Sequence, residues 1–167
     1  AAQANGLPHV LDATPEPLRA DSYGVGLIAA SVIERGARDV TIFLGGSAST
    51  DGGSGLLRAL GARFLDANGT ELAPGGGALA SLETIDLSAL KPGVLETSWR
   101  IAVDVTNPLT GSHGAAHVFA PQKGATASDV AVLDAGLTRL AEVLAATPLV
   151  AQRGFSAAGI AALPGIG

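Results

Sequence analysis

The residues best able to do chemistry gather in one string, Gly45-Gly46-Ser47-Ala48-Ser49-Thr50-Asp51-Gly52-Gly53. Glycines there let a backbone approach a ligand closely. Ser47, Ser49 and Thr50 add hydroxyls. A helix following the string would turn free N–H groups and its positive end toward it, which suits a phosphate or a carboxylate. No Gly-Lys-Ser/Thr closes the string, so it is not a Walker A loop, and it is not a G-x-G-x-x-G turn. A tight strand-to-helix turn would need the same glycines, so both readings stand. Asp51 lies inside the string, and Asp104 ends a second apolar run with Asn107 just beyond. Such a carboxylate can hold Mg²⁺ through water or take a proton from a hydroxyl. Asp51 reads equally as a helix cap, and Asp104 as a satisfied turn residue. Lys123 and Lys91 are the two lysines of the chain. In the turn Pro121-Gln122-Lys123-Gly124, an ammonium suits a transferring phosphate, although an ordinary exposed lysine is the simpler reading. His113 and His117 are spaced i, i+4, but no Glu follows His113 and the chain has no Cys, so a metal site there is weakly supported. His9 reads as structural, and Gly24-Val25-Gly26 as close packing of a helix.

Elements must position these groups. Asp21 or Ser22 starts a helix running to about Arg35, with Val25, Ile28, Ala29, Val32 and Ile33 at helical spacing and Gly36 as its stop. Asp39 to Leu44 reads as a buried strand of a parallel sheet that delivers the glycine string. Leu56, Leu57 and Leu60 make a short helix ended by Gly61. Arg63 to Leu72 reads as a β-hairpin about Asn68-Gly69. Thr84 to Asp86 is a short strand, and Arg100 to Val105 a second core strand. Gly111 to Phe119 reads as a short helix. Ser128 caps a long amphipathic helix with the stripe Val130, Leu133, Leu137, Leu140, Val143 and Leu144, which Pro148 ends. Leu7 to Leu11 reads as an edge strand. The order is that of a three-layer α/β fold with a mostly parallel sheet, an antiparallel hairpin near residues 63–72 and the loop at the carboxyl edge of a strand.

Composition narrows the function classes. The chain has 167 residues, 47% hydrophobic and 15% charged, with mean hydropathy +0.39. That excludes a disordered chain. Net charge is −5 with only 10 Lys and Arg, so no nucleic-acid partner is expected. No disulfide framework or thiolate nucleophile is available without Cys. The longest near-apolar stretch, Gly24 to Ile33, is about half the ~20 residues a bilayer needs, so no membrane partner is expected. A cytoplasmic protein is expected. The chain has no Met and opens at Ala1, which suggests a removed initiator or a piece of something longer. An open sheet edge and uncovered apolar faces, among them the carboxyl-terminal tail, would favour self-association.

In this order, several segments resemble the glycerate kinase family that lacks a P-loop, the bacterial glycerate 2-kinase type. They are Ser22-Tyr23-Gly24-Val25-Gly26-Leu27-Ile28, Leu44 to Gly55, Leu60 to Asp66, Asp104-Val105-Thr106-Asn107-Pro108-Leu109-Thr110-Gly111, and Pro121 to Thr126. The resemblance runs over roughly Asn5 to Leu144. It implies ATP- and Mg²⁺-dependent transfer of a γ-phosphoryl group to a hydroxyl of D-glycerate. Asp104 would be the base or metal ligand, Asn107 its helper and Lys123 the counter-charge. Gly45, Gly46, Ser47, Ser49, Thr50 and Asp51 would surround phosphate or the glycerate carboxylate. Members of the family are longer, so the chain reads as one α/β domain over 1–167 or as the central fragment of a larger two-domain kinase. A non-catalytic α/β fragment and a small-carboxylate-binding module are the alternatives.

Overall fold

Apolar periodicity divides this chain into a helix-poor first half and a helix-rich second half, and two hydrophobic clusters form, each drawing residues from both. The structure, a computed structural model, describes residues 1–7 and 14–163. His9 and most of the expected edge strand over Leu7 to Leu11 lie outside the described residues. In chain order the elements are α1 (Ala2–Asn5), α2 (Tyr23–Glu34), β1 (Asp39–Phe43), α3 (Ser54–Ala59) and β2 (Arg63–Leu65), then a 3₁₀ turn (Gly76–Ser81), β3 (Thr84–Asp86) and β4 (Ser98–Ala102). There follow α4 (Ala115–Phe119), a 3₁₀ turn (Pro121–Lys123), α5 (Ala127–Ala146), α6 (Pro148–Ala151) and α7 (Ala157–Ala161).

The result is a mixed α/β arrangement with a parallel sheet and an antiparallel pair. β1 pairs with β4 in parallel, Ile42 opposite Ile101. β2 pairs with β3 antiparallel, Phe64 opposite Ile85. The Asn68-Gly69 turn forms as expected, with the Asp66 amide donating to Thr70 O at 2.9 Å and the Leu72 amide to Phe64 O at 2.9 Å. The ladder itself runs to β3, because Phe64 and Ile85 are both buried there whereas Thr70 and Glu71 face solvent. Cross-strand burial decides which partner a three-residue strand keeps.

The first cluster joins α2 to the parallel sheet. Ala29, Ala30, Ile33, Leu60 and Val94 are buried together, with Val40 and Trp99 packed on them. The parallel register puts Val40, Ile42, Trp99 and Ile101 on one face. The opposite face carries Phe43, which is 70% exposed. β1 is therefore parallel as expected but not buried: only Ile42 of its five residues is. Two strands with a helix on one face cannot enclose both sides. β4 also begins two residues earlier than expected and ends before Val103, so Asp104 lies past the strand end.

The second cluster is larger. α5 lays Val130, Leu133, Leu137, Leu140 and Val143 against Phe64, Leu79, Leu82, Ile85 and Leu109. Each such side chain contributes roughly 1.5–3 kcal/mol by leaving water. The cap of α5 is Thr126, not Ser128: the Asp129 amide donates to the Thr126 hydroxyl while the Asp129 carboxylate accepts from the Thr126 amide, a capping box. The tail is covered only in part over the described residues: Ile160 of α7 is buried in this cluster and the Leu109 amide donates to Ala161 O at 2.9 Å, while Phe155 and Leu163 remain exposed.

Candidate functional site

The site begins where the parallel sheet stops. The Leu44 amide still donates to Ala102 O at 2.9 Å, and the chain then turns through Gly45 (φ +150°) and Gly46 (φ +61°). Those backbone angles favour glycine. The loop is stitched to the amino-terminal segment: the Leu7 amide donates to Gly46 O at 2.8 Å, the Ala48 amide to Asn5 O at 2.9 Å, and Asn5 Nδ2 to Ser49 Oγ at 2.7 Å. Among the described residues, the amides of Gly45, Gly46 and Ser47 find no acceptor in the protein. Successive free amides of this kind suit an anion.

The α3 amides are different. Sequence reading expects them free to meet a ligand, and the structure shows them satisfied. Asp51, 2% exposed, accepts at Oδ2 from the Ser22 amide (2.9 Å), the Ser22 hydroxyl (2.8 Å), the Gly55 amide (2.9 Å) and the Ser54 hydroxyl (3.4 Å). Its Oδ1 accepts from the Gly53 amide at 3.3 Å. The Leu56 amide donates to Ser22 Oγ at 2.9 Å. The anion at the head of α3 is thus the protein's own carboxylate. A negative charge at a helix N-terminus is favourable, and here it ties the heads of α2 and α3 together.

Lys123 ends a 3₁₀ turn after α4, and the positive φ of Gly124 (+92°) turns the chain away from it. Its side chain is buried and crosses to the glycine string. There Nζ donates to Ser49 O, to Thr50 Oγ1 at 3.3 Å and to Ser47 Oγ at 3.5 Å. Burial pulls this ammonium below the ordinary lysine value, to about 8, and the Asp51 carboxylate opposes part of that fall.

A cleft of about 370 Å³ opens beside it, and Gly45, Gly46, Ser47, Asp104, Asn107, Gln122 and Lys123 supply its polar lining. Leu7, Leu44, Val103, Ala115 and Phe119 supply its apolar wall. Asn107 is held by its Nδ2, which donates to His113 O at 3.1 Å. Of the residues that sequence reading singles out, Gly45, Gly46, Ser47, Asp104, Asn107 and Lys123 therefore meet at one cleft. Ser49, Thr50 and Asp51 lie buried behind its wall. His113 precedes α4 rather than sharing its face with His117, and His117 Nδ1 lies 3.7 Å from Asp134. No group of three His, Cys, Asp or Glu side chains converges among the described residues.

Sequence reasoning misses Gln122 and Phe119 in the lining. Gln122 adjoins Lys123 and Phe119 sits one helical turn before it, so spacing alone could have found both. It also misses Ser22 as the partner of Asp51, because a serine before a helix reads as a cap. The Ser22 side chain makes no cap bond within α2.

A family model described as the glycerate kinase family matches residues 1–167. The chain is 45% identical over 143 residues to glycerate 2-kinase of Escherichia coli, covering 86% of this chain and 38% of that protein. It is 44% identical over 142 residues to glycerate kinase of Bacillus subtilis, covering 85% and 37% respectively. It superposes with a TM-score of 0.88 and 41% identity on the crystal structure of a protein assigned as glycerate kinase 2 from Salmonella typhimurium, over 98% of this chain and 42% of that one. The chain thus spans well under half the length of the relatives it matches.

Proposed function

Since the chain belongs to the glycerate kinase family, we propose that its cleft is the phosphoryl-transfer site of an ATP-dependent kinase acting on D-glycerate. The observation that carries this reading is the meeting of anion-binding and acidic groups in the lining of one cleft. The amides of Gly45, Gly46 and Ser47, which find no acceptor among the described residues, share the lining with the Lys123 ammonium and the Asp104 carboxylate. Phosphoryl transfer asks for little covalent chemistry from the protein. It asks for positioning, for positive charge around the transferred group and for a base at the attacking hydroxyl.

In this reading the amides of Gly45, Gly46 and Ser47 hold phosphate oxygens or the glycerate carboxylate. Asp104 accepts the proton of the attacking hydroxyl. An O–P bond forms at the γ-phosphorus as the bond to the β–γ bridging oxygen breaks, and ADP leaves. Lys123 donates to the phosphoryl oxygens, and its long contact to Ser47 Oγ is the donor most readily given to a ligand. Asn107, held by His113 O, orients the attacking hydroxyl beside Asp104. Ser49 and Thr50 serve by receiving Lys123. Mg²⁺ fits this set as an ion carried on the phosphates, since it binds through one or two carboxylates while keeping several waters. Asp104 is the carboxylate that would hold it, and its chemistry would be neutralisation of phosphate charge. A cytoplasmic setting supplies the nucleotide. No described helix is long and apolar enough to cross a membrane.

An ADP-release assay with D-glycerate, ATP and Mg²⁺ tests the reading. Glycerate-dependent ADP release, lost in Asp104→Asn, is the expected outcome. Thermal stabilisation by glycerate without ADP release would instead assign a small-carboxylate-binding role, because a ligand that binds only the folded state raises its stability. Neither response would overturn both.

A further inference from the structure

The Asp51 carboxylate never touches the cleft, yet it is among the most heavily bonded side chains in the described structure. Five donors from two segments converge on it. The residues directly before it, Ser49 and Thr50, are the ones that receive the Lys123 ammonium. Thr50 is also walled from its other side: a Cβ on Gly76 would lie 2.0 Å from Thr50 O, so the backbone of that 3₁₀ turn presses against it. A fully satisfied buried network of this kind is rigid. A lysine has three N–H donors. Two of them are spent on the Ser49–Thr50 turn, and that turn therefore determines where the third one points, here along the long contact to Ser47 Oγ at the cleft.

We propose that Ser22 and Asp51 are positioning residues for Lys123: their buried hydrogen-bonded pair locks the Ser49–Thr50 turn, and that turn aims the ammonium at the cleft. The catalytic meaning of this role rests on reading the cleft as a phosphoryl-transfer site. The geometry does not. Ser22 acts twice, donating to Asp51 and accepting from the Leu56 amide. It therefore couples the head of α2 to the head of α3 and, through Asp51, to the loop. When the pair is broken the turn gains freedom, and Lys123 loses its fixed acceptors before the rest of the fold changes.

Having only Lys91 beside Lys123 makes the test clean. Competitive acetylation with acetic anhydride across a pH series, read by mass spectrometry, gives the reactivity ratio of Lys123 to Lys91 per free amine, which removes the effect of the lowered Lys123 pKa. On that basis Lys123 is expected to react far more slowly than the half-exposed Lys91 in the native protein. Ser22→Ala and Asp51→Asn are expected to raise the ratio roughly tenfold, the equilibrium equivalent of one lost hydrogen bond to a charged group. Ser22→Thr keeps the hydroxyl and stays near the native ratio. Phe64→Leu, which weakens the distant core, leaves the ratio unchanged, and this separates positioning from general loss of stability. A native per-amine ratio in folded Ser22→Ala overturns the proposal, and so does a Lys123 whose free amine reacts as fast as that of Lys91 in the unaltered protein. The second result needs no variant to fold. The ratio also needs no turnover, so a chain that phosphorylates nothing can still show it. Turnover with an unmoved ratio would overturn the positioning role alone.

Discussion

Lys123 carries the positive charge of the cleft in surroundings that disfavour charge. Its ordinary value is 10.5, and burial brings it to about 8 against the pull of Asp51. At neutral pH it is still mostly protonated and can meet a phosphate. Above about pH 8 it loses that proton in the folded protein but keeps it in the unfolded chain. Between about pH 8 and 10.5 the unfolded state therefore binds more protons, and stability must rise with pH from this group. One pKa unit is worth about 1.4 kcal/mol, so the full effect is on the order of 3 kcal/mol as an upper bound. Urea unfolding of the unaltered chain and of Lys123→Met across that range should show their stability difference moving in favour of the lysine form as pH rises. A constant difference would mean that Lys123 titrates like an exposed lysine. On the proposed phosphoryl-transfer reading of the cleft, turnover should move the opposite way, falling as pH passes about 8, because the amine form carries no charge to the phosphate.

Helix α2 meets α3 at a glycine, and the contact shows which local rules hold here. A Cβ at Gly26 would lie 2.5 Å from Leu56 O and 2.6 Å from the Ala59 Cβ. Gly26→Ala gains about 1 kcal/mol of helix propensity. It also forces the two helices apart, and overpacking typically costs about 1–3 kcal/mol. Since backbone atoms are among those struck, the clash should win, with net destabilisation of up to about 2 kcal/mol in urea unfolding. Because Ser22 and Leu56 lie on these helices, the same change should loosen Lys123. The sequence already showed this glycine as a packing residue, along with the helix stops at Gly36 and Gly61 and the apolar stripe of α5. These are local signals, where a residue's own backbone or period decides. Strand ends were read less well. β4 slides toward Ser98, and β2 keeps a bridge to the arm of its own hairpin, Leu65 to Glu71, while its longer ladder runs to β3, because pairing depends on what becomes buried across the chain. The cleft follows the same division. Gly45 to Ser47, Asp104, Asn107 and Lys123 were legible from residue type at element ends. The role of Asp51 was not, because its partner Ser22 is 29 residues away and no short pattern links them.

At the scale of the molecule, α2 is apolar nearly all round. Val25, Ala29 and Ile33 are buried, yet Leu27, Ile28 and Val32 on its other side are exposed. A helix of that composition ordinarily belongs inside a fold. The sheet beside it repeats the pattern. Phe43 is 70% and Ile101 54% exposed, and β1 and β4 each have a single strand partner among the described residues. Parallel strands are normally covered on both faces. Free edges and apolar area together drive association. Against them stands a net charge of −5, spread over the surface and screened within about 8 Å at physiological salt. Screened repulsion of that size is weak beside the burial of several large side chains, each worth roughly 1.5–3 kcal/mol. The chain in solution should therefore scatter light with a mass above 16.4 kDa that grows with concentration. Phe43→Ser combined with Ile28→Ser should lower that mass with little loss of stability, because both side chains already face solvent in the single chain. Adding salt to the unaltered chain should raise the mass further as repulsion is screened. A monomer unchanged by concentration and by salt would show that these faces are too flat or too scattered to pair, despite their composition.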